Sequence, residues 1–199
     1  MNLPHPTILG SHAWRWADEA ACAALAGRLA SQPALRDACL TLDGPLGAGK
    51  TTFVRHLLHA LGVTGRVKSP SYAVMEPYRV GDLDIAHFDF YRFSDPREWE
   101  DAGFREVFAR PGLKLAEWPE KAAGALPTPD LALHLALHDD QSNAAPAREV
   151  RVQALTPVGK RLLDSLVQAR GAHCLVHCAA GRPARAAAPW LGWGRWCWR

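Results

Sequence analysis

The residues Gly44-Pro45-Leu46-Gly47-Ala48-Gly49-Lys50-Thr51 fit the spacing G-x-x-x-x-G-K-[ST] at every fixed position, and Thr52 follows them. A loop of this kind works only between a buried strand and an amphipathic helix, so it dictates a strand–loop–helix unit and an α/β layer structure around it. The flanks supply both parts. Asp37 to Asp43 (DACLTLD) is short, apolar and bounded by turn residues, which suits a buried strand. From Lys50 onward, Phe53, Leu57, Leu58 and Leu61 fall on one helical face, and Gly62 stands where a helix closes. Glycines let the chain curl closely around a polyphosphate without a Cβ in the way. The amides and dipole of the new helix favour the same anion. In such a loop Gly44, Gly47, Ala48, Gly49 and Thr52 shape the cradle, Lys50 supplies a cation for the β and γ phosphates, and Thr51 offers a hydroxyl to Mg²⁺.

The remaining chain reads as strands interleaved with helices. Asp18 to Ala30 is Ala/Leu-rich and helical; Tyr72 to Arg79 and Ile85 to Arg92 form a hairpin joined by residues 80–84. Asp95-Pro96-Arg97-Glu98 is a helix-start signature leading to about Ala102, with further turns from Phe104 to Ala109. Leu113 to Glu117 is a second buried strand. Leu131, Leu133, Leu135 and Leu137 alternate on one face of another, Arg148 to Leu155 is a further strand, and Val158 to Ala169 a closing amphipathic helix. The expected fold is one α/β domain, a P-loop NTPase-like mixed β-sheet flanked by helices, over residues 1–170.

Composition narrows the class. At 48% hydrophobic and 22% charged, the 199 residues resemble an ordinary globular protein. No stretch reaches the roughly 18 to 20 apolar residues of a membrane span, and the first residues lack a secretory pattern, so a cytoplasmic protein with no membrane role is expected. Five cysteines, an odd number, point to reduced thiols. The net charge of +3 is local: all 20 acidic residues precede residue 171, whereas Arg182, Arg185, Arg195 and Arg199 follow it. The body is near neutral and shows no field that would itself attract nucleic acid. Residues 171–199 hold four of the eight tryptophans and no sustained period, and read as a disordered appended tail. Its His173-Cys174 and His177-Cys178 pairs have a spacing that suits zinc, but nothing else in the tail orders them.

A P-loop needs a second Mg²⁺ anchor, usually an acid ending a neighbouring buried strand. Asp89, within His87-Phe88-Asp89-Phe90-Tyr91-Arg92, and Glu117, ending Leu113 to Glu117, are both candidates, and His87 stays unassigned.

Four motifs in this order resemble the TsaE (YjeE) family, the ATPase of bacterial tRNA threonylcarbamoyladenosine biosynthesis. They are Gly44 to Thr52, Val67-Lys68-Ser69-Pro70-Ser71-Tyr72, His87 to Arg92, and Glu117-Trp118-Pro119-Glu120, and the resemblance as a whole covers roughly residues 12 to 168. The resemblance implies ATP as the nucleotide, with Lys50 on its phosphates, Thr51 and Glu117 on Mg²⁺, and Asp89 as the catalytic acid that positions water or senses the γ phosphate. It implies a switch-like segment from Ser69 to Tyr72 and Trp118 packed beside the nucleotide. Its implied partner is the TsaB–TsaD heterodimer, with tRNA reached only through that complex. Three departures stand out: Ser71 where the family usually has Thr, Phe90 for a common Leu, and Cys22 where the N-terminal helix usually places Thr or Ser near the nucleotide.

Two other functions fit a P-loop of this kind. A small-molecule kinase would need an Arg-bearing lid, for which Arg97, Arg105 and Arg110 are the candidates, though residues 93–112 are short for both lid and acceptor pocket. A nucleotide-sensing module would bind ATP with negligible turnover.

Overall fold

The computed structural model describes residues 6–93, 99, 102–138 and 147–168. One seven-stranded sheet organises them: β1 (Gly10–Trp16), β2 (Cys39–Asp43), β3 (Met75–Val80), β4 (Leu83–Asp89), β5 (Leu113–Glu117), β6 (Leu131–His138) and β7 (Ala147–Ala154), in the spatial order β1-β7-β6-β2-β5-β4-β3. The four central strands β6, β2, β5 and β4 run parallel. Antiparallel pairing adds β7 and β1 at one edge and β3 at the other. The expected mixed sheet is therefore the observed one. Helices α1 (Glu19–Ala30), α2 (Lys50–Leu61), α3 (Phe104–Ala109) and α4 (Pro157–Gln168) flank it.

Burial explains why the central strands read as apolar runs. Thr41, Leu40 and Leu42 of β2 are all buried, as are all five residues of β5, because parallel central strands are covered on both faces. One face packs under α1, α2 and α4 through Leu25, Leu29, Phe53, Leu57, Leu58, Leu162 and Leu166. The opposite face, beneath β4 and β5, carries an aromatic cluster of Phe88, Phe90, Phe93, Trp99 and Phe104.

Several boundaries differ from the sequence reading. The hairpin is shorter, from Met75 to Asp89, and turns at Gly81-Asp82 rather than through a five-residue loop. Residues Pro33–Asp37 form a 3-10 turn, so β2 begins at Cys39. In β6, Ala132 is buried beside the leucines while Leu137 is half exposed, so burial does not follow the leucine alternation to its end. Strand β1 was not anticipated at all; its alternation ends in Trp14 and Trp16, both buried. The helix expected from Asp95 and the tail 171–199 lie outside the described residues.

The carboxyl ends of β2, β4 and β5 share one edge of the sheet. Parallel α/β sheets place ligands outside that edge. Here it gathers the glycine loop, Asp89 and Glu117.

Candidate functional site

The loop after β2 takes its shape from glycines that no other residue could replace without strain. At Gly44, φ is +130° and an added Cβ would lie 2.1 Å from the Leu135 carbonyl oxygen, so the backbone of β6 itself excludes a side chain. Gly47, at φ +80°, differs: a Cβ there would meet nothing within 4 Å, because the residue opens onto the cleft. Gly49 is left-handed and caps α2. The Ala48 amide donates to the Pro45 carbonyl at 3.1 Å and its methyl is buried in the core. The opening amides of α2 have no earlier helical carbonyl to bond, and the cleft lies at that end of the helix.

Lys50 lies folded along this loop. Its Nζ donates to the carbonyls of Gly44 at 2.6 Å and Pro45 at 3.0 Å, and sits 3.7 Å over the Trp118 ring. Burial pushes its ammonium below the usual lysine range, and Glu117, Glu120, Asp89 and Asp43 pull it partly back. The cation is held among weak partners that a phosphate could replace.

Alternation along two adjacent strands sets the acids. Asp89 and Glu117 pair directly in the parallel register of β4 and β5. Period two puts His87 and Asp89 on the face of Leu83 and Ile85, and Glu117 on that of Leu113 and Leu115, which is the face packed in the cluster with α2. There the Thr51 hydroxyl donates to Glu117 Oε2 at 2.8 Å, and His87 Nε2 lies 2.9 Å from Glu117 Oε1. Asp89 has different company: Oδ1 accepts from the Tyr91 amide at 2.9 Å, and Oδ2 from the Ser69 hydroxyl. Glu117 is thus tied to the loop helix, and Asp89 to residues 69–91 around the cleft mouth.

The oxygen set fits a small hard cation. Neighbouring ligands of an octahedral ion with bonds of about 2.1 Å stand about 3 Å apart, and the Thr51 and Glu117 oxygens are 2.8 Å apart. Among the described residues no group of three or more His, Cys, Asp or Glu is placed to hold a metal ion by itself. A donor set of one hydroxyl and one carboxylate suits Mg²⁺, which keeps several waters and phosphate oxygens.

The cleft has a volume of about 380 Å³. Gly47, Gly49, Lys50, Thr51, Thr52, Asp89, Glu117 and Trp118, all singled out from the sequence, line it together. Gly44 and Ala48 are not in its lining; they support the loop from beneath. Leu46, Tyr91 and Arg92 join the wall without having been assigned a role, as do Ser69 and Ser71 of the switch-like segment. Arg92 stacks on the exposed Tyr72 ring at 4.2 Å. A smaller cavity of about 80 Å³ adjoins, sharing Gly49 and Thr52 and reaching Trp16, Asp18, Glu19, Cys22 and Arg148. The Cys22 thiol is pushed up to about 12, mainly by burial and then by Glu19, so it remains a protonated, nearly apolar contact.

Known proteins resemble this chain. Residues 16–150 match the family model described as "Threonylcarbamoyl adenosine biosynthesis protein TsaE". The tRNA threonylcarbamoyladenosine biosynthesis protein TsaE of Haemophilus influenzae is 40% identical over 124 residues, which are 62% of this chain and 75% of that protein. The protein of the same name from Bacillus subtilis is 43% identical over 88 residues, 44% of this chain and 54% of that one. Among solved structures, the crystal structure of Bacillus subtilis YdiB superposes with a TM-score of 0.67 at 27% identity, covering 82% of this chain and 99% of that chain.

Proposed function

The chain belongs to the TsaE family, and from that premise we propose that it is a Mg²⁺-dependent ATPase serving threonylcarbamoyl modification of adenosine in tRNA, acting in complex with TsaB–TsaD. The observation that carries the chemistry is the contact of Thr51 with Glu117, which joins the P-loop to a buried acid on the neighbouring strand. The loop and the first turn of α2 receive the phosphates, and Lys50 leaves the Gly44 and Pro45 carbonyls to meet them. Thr51 and Glu117 would hold Mg²⁺, which when bound would supply charge neutralisation at the phosphate oxygens. Asp89, beside Glu117 on the adjacent strand, orients the attacking water or meets the γ phosphate; its bond from Ser69 lets residues 69–72 follow the state of that phosphate. Trp118 closes the side of the cleft by covering the Lys50 cation.

Partner dependence has its own support. Leu46, Tyr72 and Tyr91 stand exposed around the mouth of the cleft, and aromatic side chains so placed suit a protein partner. The near-neutral body agrees with tRNA being reached through that partner, in the cytoplasm. No helix among the described residues is long and apolar enough to cross a membrane. Measuring ATP hydrolysis by the chain alone and with purified TsaB–TsaD tests the reading. Stimulation by the pair is the expected result. Hydrolysis indifferent to the pair would remove the partner, and phosphorylation of an added nucleoside or sugar would make the protein a kinase.

A further inference from the structure

The buried histidine of β4 has no role in the site as described so far. His87 is wholly buried, and its Nε2 lies 2.9 Å from Glu117 Oε1. Its other nitrogen, Nδ1, is buried with no hydrogen-bond partner. A proton on Nδ1 would be a buried donor without an acceptor, whereas a proton on Nε2 is received by the carboxylate. The ring therefore carries its hydrogen on Nε2 and donates it to Glu117. That leaves Glu117 Oε2 for Thr51. Each oxygen of the carboxylate is assigned by a different neighbour, and Glu117 has almost no contact with solvent through which to reorient.

We propose that His87 is a positioning residue for the metal-holding carboxylate: by binding Glu117 Oε1 it aims Oε2 at the place shared with the Thr51 hydroxyl, and so sets the affinity of the nucleotide site for Mg²⁺. The proposal rests on Glu117 and Thr51 holding Mg²⁺. Partners that orient ligating side chains commonly change metal affinity by about 10- to 100-fold when removed. The register explains why a histidine can serve here. His87 pairs with Leu115, and Glu117 is the next residue along on the same face of β5.

Two variants separate positioning from packing. His87→Phe keeps a ring of similar size and removes the donor; His87→Gln restores a terminal N–H donor without the ring. ADP affinity is measured by calorimetry on the full chain across a Mg²⁺ titration and again in EDTA, with thermal unfolding of each variant alongside. The expected result is that His87→Phe needs about 10- to 100-fold more Mg²⁺ to reach tight ADP binding, while its affinity in EDTA is unchanged. His87→Gln should recover a large part of the loss even if it is less stable than the wild type. Nitrogen NMR of the wild type should show the proton on Nε2. Unchanged Mg²⁺ dependence in His87→Phe, together with a clear loss in Glu117→Ala, overturns the proposal and spares the metal site. Equal loss in His87→Phe and His87→Gln assigns the residue to packing and also overturns it. If Glu117→Ala too leaves Mg²⁺ dependence intact, the metal site itself falls and the proposal with it.

Discussion

Gly44 and Gly47 sit three residues apart in one loop, share a left-handed backbone, and ask opposite things of a substitution. At Gly44 a methyl group meets the backbone of Leu135 at 2.1 Å, so Gly44→Ala must displace either the loop or β6. The conformation alone is worth about 1–3 kcal/mol, and the clash adds to it; urea unfolding should show a large loss of stability. At Gly47 the methyl meets nothing, and it would occupy the space where phosphate oxygens approach. Gly47→Ala should therefore lower nucleotide affinity more than stability, and calorimetry with ADP beside unfolding curves checks the split. Lys50→Ala belongs with Gly47. A charge-assisted hydrogen bond contributes about 1.5–3 kcal/mol, so ATP affinity should fall by at least about 10-fold. Pro45 is exposed, so water can replace the lost donor at its carbonyl. An unchanged dissociation constant in Lys50→Ala would contradict the assignment of the cradle.

Strands β2, β4 and β5 were readable because each is buried or ends in a residue whose chemistry demands a place. The Lys50 helix was readable for the same reason: its apolar period and its glycine stop agree with each other. Strand β1 escaped because it is an edge strand in which only Trp14 and Trp16 are buried, so its pattern is two aromatic residues rather than a run. Trp16 joins this edge strand to the loop helix. Trp16 stacks on Phe53 of α2 with ring centroids 5.8 Å apart and planes 8° from parallel, one turn after the glycine loop. Trp16→Ala should cost about 3–5 kcal/mol and loosen nucleotide binding as a consequence. From the residues alone the two acids were legible as candidates, and only the family resemblance gave them separate roles, since a sequence gives the spacing along a strand and not which neighbour lies across it. His87 was missed for that reason, although its alternation with Asp89 was a usable signal.

A second joint, between β2 and β6, should respond to pH. His134 Nδ1 lies 2.6 Å from Asp43 Oδ2, and Nε2 lies 3.0 Å from Gln153 Oε1, so both nitrogens face acceptors. Only the cationic ring donates to both. The hydrogen bond to Asp43 raises the His134 pKa above 6.5, with burial opposing it. A raised folded value means that the stabilisation is fully present below the unfolded pKa of about 6.5 and is lost as pH rises through the folded value. Both side chains are partly exposed, so solvent screens the pair and the effect is modest. The difference in Tm between the wild type and His134→Gln should accordingly be largest in mildly acidic buffer and shrink towards alkaline pH. A difference that grows with pH would mean that the pair is not the source.

At the scale of the whole molecule, the two most exposed large apolar side chains among the described residues stand beside the candidate site. Tyr72 is 86% exposed and Leu46 76%, and both stand by the cleft rather than being scattered over the body. Isolated exposed apolar residues need no explanation, but Leu46, Tyr72 and Tyr91 grouped beside the proposed nucleotide site would give a partner access to whichever state that site is in. The first 170 residues are near neutral, so attraction across this surface should come from apolar contact more than from net charge. Tyr72→Ala tests that view. The ring touches Arg92 and solvent and is not part of the core, so thermal stability should change by less than about 0.5 kcal/mol. Tyrosines at such interfaces are often worth 2 kcal/mol or more, about 30-fold in affinity. The amount of TsaB–TsaD needed for half-maximal stimulation of ATP hydrolysis should therefore rise by that order, while ADP affinity of the chain alone changes far less. Raising salt from low to physiological strength should alter the wild-type association only weakly. Stimulation of Tyr72→Ala at wild-type partner concentrations would place the partner elsewhere, and a steep salt dependence would place charge rather than apolar contact at the centre of the interface.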